Sequence, residues 1–285
     1  VPELPEAETI ARGLRDLLPG RRIEGIKVLR PDLLTSPSHT FTAALTGGVF
    51  GPIGRRGKNL VLEVEAGPSG ARSGSSATRL VVNLGMSGRL LYRGSDATDP
   101  PPTHPGVRFL LDDESLLIYH DPRRFGRLEA MTEDRFGAWS SKLGPEPLSP
   151  GFSPRVLSAA LAGSSSPVRS WLLDQRRIAG VGNIYANEAL FLAGIHPQTP
   201  ARAIDSAGAA GLHGALRAVL REAIRARGTT LRDYRTAQGW EGGYAGKLRV
   251  YGRDGSPCPK CGTMIERIVF GGRSAFVCGV CQGVR

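Results

Sequence analysis

Cysteine is absent from the first 257 residues of this 285-residue chain, and all four cysteines lie between 258 and 281. A secreted protein stapled by disulfides spreads its cysteines through the fold, so that class is excluded. Lysine is nearly as scarce: Lys27, Lys58, Lys142, Lys247 and Lys260 are the whole set, and arginine dominates the 37 basic residues. Long apolar runs are missing too. Even the stretch from Ile184 to Ile195 is interrupted by Asn187 and Glu188, well short of the roughly 20 residues that span a bilayer. The opening VPELPEAE has no basic segment and no apolar segment, so it does not read as a secretory leader. These absences predict a cytoplasmic protein.

What is present is ordinary for a globular chain: 40% hydrophobic and 22% charged residues, which excludes a fibre or a disordered polyelectrolyte. The charge balance is not ordinary. With 37 basic against 26 acidic residues the net charge is +11. An excess of that size points to a polyanionic partner, nucleic acid first and an anionic membrane surface second.

The periodicity predicts a multidomain α+β protein. Residues 5–18 place Ile10, Leu14, Leu17 and Leu18 at helical spacing, and Pro19-Gly20 ends the run. Short segments follow at 23–29, 48–53, 59–65, 79–84, 89–93, 107–112, 115–120 and 126–131, several alternating with period two as in Leu60, Leu62, Val64 and Val107, Phe109, Leu111. That pattern predicts an antiparallel β-sandwich behind a leading helix, over residues 1–145. The inserts 66–78 and 94–106 are turn-forming and read as surface loops. A Pro- and Gly-rich stretch at 144–154 opens a helical domain, residues 146–228, with helices expected near 154–162, 167–178, 183–194 and 206–227. Residues 228–246 lack periodicity, which sets 229–247 apart as a loop segment, and 248–285 form a β-rich module that holds the cysteines.

That module carries the most specific motif. Cys258-x2-Cys261 and Cys278-x2-Cys281 are two knuckles separated by 16 residues, the spacing of a four-cysteine zinc ribbon. Four thiolates leave no open coordination position, so one zinc ion there is structural. Arg267 and Arg273 lie on or near its hairpin, where they suit a finger loop entering a DNA groove or simply a solvated one. Elsewhere single motifs say less. Pro2-Glu3-Leu4-Pro5-Glu6 is ordinary helix-start chemistry by itself. Gly180, Gly182 and Asn183 suit a phosphate site at a helix N-terminus or plain helix–turn–helix packing. Arg55-Arg56-Gly57-Lys58, Asn83 to Gly88 and Asp121 to Gly126 are turns in which Met86 and Phe125 suit either the core or a wedge into a base stack.

The motifs gain meaning from their order. PELPEAE, RRGK, NLGMSG, DPRRFG, LGPEPL, GVGNIYANEALFLAGIHP, GTTLRDY, LRVYGRDG and the paired knuckles follow one another as in formamidopyrimidine-DNA glycosylases, which the chain resembles from Pro2 to about Gln282. The resemblance implies a bacterial, nucleoid-associated base-excision repair enzyme: a bifunctional glycosylase and abasic-site lyase. Such an enzyme removes 8-oxoguanine and formamidopyrimidines from duplex DNA through an N-terminal proline iminium, with β,δ-elimination. The resemblance makes Pro2 the nucleophile, Glu3 the acid/base at the sugar, Lys58 a phosphate and lesion contact, and Glu6 a supporting carboxylate. It makes Met86, Arg123 and Phe125 the residues that enter the duplex, and Asn183 and Arg273 phosphate clamps. Residues 229–245 become a loop over the extruded base, the helical domain a helix–two-turn–helix, and the protein a monomer without membrane attachment. An endonuclease VIII-type enzyme preferring oxidised pyrimidines is the neighbouring reading on the same fold. A DNA-binding protein without catalysis is the more distant one.

Three positions depart from the resemblance. Val1 precedes the proline, and a literally translated GTG start whose formylmethionine is removed is the expectation. Asn83 stands where histidine is frequent. Arg169 stands where lysine is frequent, which keeps the charge and changes the geometry. Both are expected to contact DNA.

Overall fold

The computed structural model describes residues 2–66, 77–98, 100, 102–231 and 234–283. Val1, residues 67–76 of the first insert, Asp99 and Pro101 of the second, Arg232 and Asp233, and Val284 and Arg285 lie outside the described residues, so those parts of the readings have no structural counterpart here. The chain forms two compact units, residues 1–142 with 226–243, and residues 143–225 with 244–285.

The first unit starts with α1 (Leu4–Arg15). Pro5 sits in the first turn, where a missing N–H costs nothing, and Leu4, Ala7, Ile10, Ala11 and Leu14 are buried. Two four-stranded antiparallel sheets follow. One has the order β1 (Ile23–Val28), β6 (Pro105–Leu111), β7 (Leu116–His120), β5 (Arg89–Arg93). The other runs β2 (Val49–Arg56), β3 (Asn59–Glu65), β4 (Thr78–Asn83), β8 (Arg127–Met131). The alternation read from the sequence is the alternation of burial: Leu60, Leu62 and Val64 share one core with Val107, Phe109 and Leu111. Ile10 and Leu14 of α1 join that core, with α1 packed on β2 and β3. Two short helices, α2 (Ser38–Leu45) and α3 (Glu133–Ser140), have no counterpart in the periodicity. α2 buries only Phe41 and Leu45, and α3 buries nothing, so neither leaves an apolar stripe to read.

The second unit contains α4 (Pro154–Ala162), α5 (Val168–Leu173), α6 (Asn183–Ala193), α7 (Ser206–Arg225) and a hairpin of β9 (Glu266–Phe270) with β10 (Arg273–Val277). On α7 the predicted stripe Leu212, Leu216, Val219, Leu220, Ala223 and Ile224 is buried, with α4 and α6 packed against the helix. The helix expected over 167–178 stops at Leu173. Asp174 leaves helical geometry and its carboxylate accepts from the Arg176 amide at 3.0 Å. Gln175 then organises the next turn: its Oε1 accepts from Gly180 N and its Nε2 donates to Val181 O, each at 2.8 Å. This turn delivers the chain to Gly182, the N-cap of α6, and makes Asn183 the first helical residue.

The polar residues that break the apolar run of α6 have a purpose the sequence does not reveal. Glu188 is wholly buried and accepts from the amides of Arg249, Val250 and Tyr251 at 2.9–3.0 Å. Asn187 accepts from Phe276 N at 2.8 Å. Two successive residues of α6 thereby hold both the entry to the cysteine module and its second strand.

Candidate active site and nucleic-acid interface

Pro2, Glu3 and Glu6 are all buried, the two carboxylates at 2% and 1% exposure. Their placement follows from the helix start. Glu3 is the N-cap of α1, and Glu6, three residues on, turns back so that Glu3 N donates to its Oε2 at 2.8 Å. This is the backward half of a capping box. The other oxygen of Glu6 accepts from Thr229 N at 2.7 Å. Glu6 therefore joins the proline end to the 226–243 segment. Gly228, with φ +83°, lets the chain pass: a Cβ there would stand 3.0 Å from Glu6 Oε1. Tyr234 is buried in the same core, and burial, then the charge of Glu6, raise its pKa, so it stays a neutral phenol.

Lys58 occupies the two-residue turn between β2 and β3, across which Arg56 pairs with Asn59. Gly57 takes φ +59° at the first turn position, where tight hairpins favour glycine. The two arginines of the RRGK motif brace this turn. Arg55 donates to Glu8 at 3.0 Å, and Arg56 donates to Ser140 Oγ at 3.0 Å. Lys58 itself is half-buried at the tip.

Met86 and Phe125 belong to the surface rather than the core, at 38% and 53% exposure. Arg123 is exposed beside them, with its guanidinium carbon 4.9 Å from the centre of the Phe125 ring. Asn83 is engaged within the protein. Its Oδ1 accepts from Gly85 N at 2.9 Å and its Nδ2 donates to Asn59 Oδ1 at 2.8 Å, so the side chain shapes the glycine turn that carries Met86.

In the second unit Asn183 and Arg273 meet through Arg169. The guanidinium of Arg169 is 1% exposed. Its Nη1 donates to Asn183 Oδ1 at 2.7 Å, and its Nη2 donates to Phe270 O at 2.8 Å and to Arg273 O at 3.2 Å. The guanidinium carbon also lies 4.2 Å from the centre of the Phe270 ring. Burial, then the nearby Arg273 charge, lower its pKa. Asn183 Nδ2 donates to Ser274 O at 3.0 Å. The expected DNA contact at 169 is thus a buried tie beneath an exposed Arg273, and the planar fork of arginine suits several carbonyls at once. Arg267, the other hairpin arginine, donates to Ser274 Oγ at 2.8 Å. Replacing Arg169 by Ala strands the carbonyls it serves. With charged hydrogen bonds contributing about 1.5–3 kcal/mol each, Arg169→Ala is expected to lower thermal stability and DNA affinity together. Arg169→Lys should fall between the two proteins in both measurements.

The four cysteines carry no disulfide, and their Sγ atoms all lie within 4.8 Å of one another. Cys258 and Cys281 approach to 3.8 Å, Cys261 and Cys278 to 3.4 Å. Tetrahedral zinc with bonds near 2.3 Å separates its sulfurs by about 3.8 Å, so the group fits one tetrahedral metal ion. Lys260, within the first knuckle, lies 4.8 Å above the Phe191 ring of α6.

Three family models match successive parts of the chain. They are the formamidopyrimidine-DNA glycosylase N-terminal domain over residues 1–128, the H2TH domain of the same enzymes over 143–235, and a zinc finger found in FPG and IleRS over 255–284. A proline-led sandwich, this helical unit and this finger place the protein among the DNA glycosylases. The chain belongs to the formamidopyrimidine-DNA glycosylase family. It is 44% identical to the formamidopyrimidine-DNA glycosylase of Chloroflexus aggregans, over 99% of this chain and 98% of that one. It is similar to the Lactococcus lactis Fpg solved with abasic-site DNA, with TM-score 0.88, 32% identity and coverage of 99% and 100%. The same figures hold for a MutM solved with carbocyclic 8-oxoguanine DNA.

Proposed function

We propose that the protein excises oxidised purines from duplex DNA and cleaves the resulting abasic site. The observation that carries this reading is the buried Pro2–Glu3–Glu6 start, clipped by Glu6 to Thr229, in a chain of this family. With residue 1 removed, Pro2 offers a secondary amine. α-Amines titrate near pH 8, so an appreciable fraction is neutral in the working range. The nitrogen attacks C1′ of the deoxyribose, the bond from C1′ to the base breaks, and the base departs with a proton. The bond from C1′ to the ring oxygen O4′ then breaks, O4′ takes up a proton, and C1′ is left as an iminium. Its positive charge draws electrons from C2′, a C2′ proton leaves and the 3′ phosphate is eliminated; loss of a C4′ proton through the conjugated chain then expels the 5′ phosphate. Glu3 moves the protons at the sugar. Glu6 holds the Glu3 amide in place, and Lys58 meets the phosphate and lesion.

The lesion is extruded because its sugar is shielded inside a duplex. Met86 and Phe125 fill the gap and Arg123 meets the orphaned base, while Asn183 and Arg273 grip phosphates. The 229–245 segment covers the extruded base. Zinc is the metal the four thiolates select, and it supplies a fixed hairpin rather than chemistry. The protein acts as a monomer in the bacterial cytoplasm, on the nucleoid, without membrane attachment.

Nicking of duplexes carrying 8-oxoguanine opposite C or thymine glycol opposite A tests the substrate class. Faster cleavage of 8-oxoguanine is expected, and a preference for thymine glycol would assign the endonuclease VIII-type chemistry instead. The division between clamp and reader is tested by salt. Arg273→Ala is expected to weaken binding to all sequences and to flatten the slope of log affinity against log salt by about one unit. Arg123→Ala should instead relax discrimination between C and A opposite the lesion, with a smaller change of slope. Identical shifts in both variants would refute the division.

A further inference from the structure

The two turns that carry Met86, Arg123 and Phe125 close on one buried carboxylate. Asp121, 3% exposed, directly follows β7 and opens the DPRRFG turn. Its Oδ1 accepts from Ser87 Oγ at 2.6 Å, in the other turn, and its Oδ2 accepts from Gly126 N at 2.8 Å. The Tyr119 hydroxyl lies 3.4 Å from the same Oδ2 and 3.2 Å from Asn83 O. Burial, then the charge of Asp121, raise the Tyr119 pKa, so the phenol keeps its proton to donate. Ser87 Oγ also accepts from Arg123 N at 3.3 Å. Each of the three exposed side chains is therefore at most one residue from an atom of this centre. Met86 adjoins Ser87, Phe125 adjoins Gly126, and Arg123 is held by its own amide.

The glycines make the contact intimate. A Cβ on Gly85 would stand 2.6 Å from Gly126 N, one on Gly88 would stand 2.5 Å from the Tyr119 hydroxyl, and one on Gly126 would overlap that hydroxyl. The turns touch backbone to backbone and cannot slide past one another without breaking the Asp121 bonds. Arg124, between two of the exposed residues, has φ +56°, a conformation that a non-glycine residue keeps only when its surroundings impose it. Its amide donates to Asp121 O at 3.3 Å.

We infer that Asp121 is a positioning residue that joins the two turns into one rigid wedge, so that Met86, Arg123 and Phe125 enter the duplex with fixed spacing. Asp121 touches no reacting atom. It acts through the three side chains, and the inference rests on the wedge reading given above.

The test separates steps that need a wedge from steps that do not. An abasic site in single-stranded DNA has no partner base and no stack to open, so its cleavage reports the chemistry alone. Asp121→Ala is expected to lower kcat/KM on duplex 8-oxoguanine opposite C by about tenfold or more, equivalent to about one buried hydrogen bond. It should also relax discrimination against A and leave single-strand abasic cleavage within about twofold. Asp121→Asn, which fills the same space, should lose less. In a Met86→Ala/Arg123→Ala/Phe125→Ala background, Asp121→Ala should add less than about twofold, since its route of action is gone. Equal losses on both substrates, or a full loss repeated in the wedgeless background, would overturn the inference. If Asp121→Ala fails to fold, Ser87→Ala removes one bond of the centre and must show the same pattern with a smaller amplitude. If the wedgeless protein processes duplex lesions as well as the parent, the wedge reading itself falls, and the inference with it.

Discussion

Pro2→Gly and Glu3→Gln are expected to abolish base excision, each by about a thousandfold or more, the upper range of a lost general acid/base. Both should leave affinity for an abasic-site analogue within about threefold, since neither residue is assigned to phosphate contacts. The structure makes Glu3→Gln the cleaner variant. Glu3 is 2% exposed, and glutamine fills the same volume in the same extended chain. Its backbone amide, which donates to Glu6 at 2.8 Å, is untouched by the change. Lost activity with an unchanged unfolding transition therefore reports proton transfer. Loss of binding in parallel with activity would mean that these residues support the fold instead.

Removing the zinc proposed for the four thiolates is expected to have the second largest effect. The finger has only a small core, shared with α6, in which Phe191 of the helix packs with Val250, Ile265 and Phe276 around Cys258 and Cys278. Structural zinc contributes about 10–16 kcal/mol of apparent binding free energy in finger peptides, far more than such a core supplies. Without the ion the β9–β10 hairpin loses its anchor. The carbonyls of Phe270, Arg273 and Ser274 then leave Arg169 and Asn183. Chelation or Cys258→Ser is expected to weaken DNA binding by about a hundredfold, as when several phosphate contacts go together. The sandwich should stay folded, because its core contains no residue of the finger. Purified protein with stoichiometric zinc, losing affinity as the metal is withdrawn, is the expected result. Unchanged affinity in metal-free protein would contradict it.

The parts of this architecture with strong periodicity were legible before any coordinates. The alternation of Leu60, Leu62 and Val64 announces a half-buried strand, and the α7 stripe announces a helix face, because one buried side leaves a repeating mark. The knuckle spacing of the cysteines was equally plain. Polar side chains that serve the backbone leave no such mark. Glu188 reads as an interruption of an apolar run, yet it anchors three amides. Arg169 reads as a surface cation, yet its neighbours at 270–274 are about a hundred residues away in sequence. Asp121 reads as the start of a turn, and only the fold brings Ser87 to it. The resemblance named Glu6, but its Thr229 partner lies 223 residues on, beyond any local pattern. Such contacts become visible when burial forces each donor and acceptor to find a partner.

The central claim is that the Pro2 nitrogen forms the covalent bond to the sugar. Borohydride reduction during turnover on an 8-oxoguanine duplex, followed by proteolysis and mass spectrometry of the trapped adduct, tests it directly. The predicted result is a deoxyribose-derived adduct on the N-terminal peptide, attached at Pro2, with residue 1 absent. An adduct on the peptide containing Lys58, or full activity in a chain that retains a residue before Pro2, would contradict it.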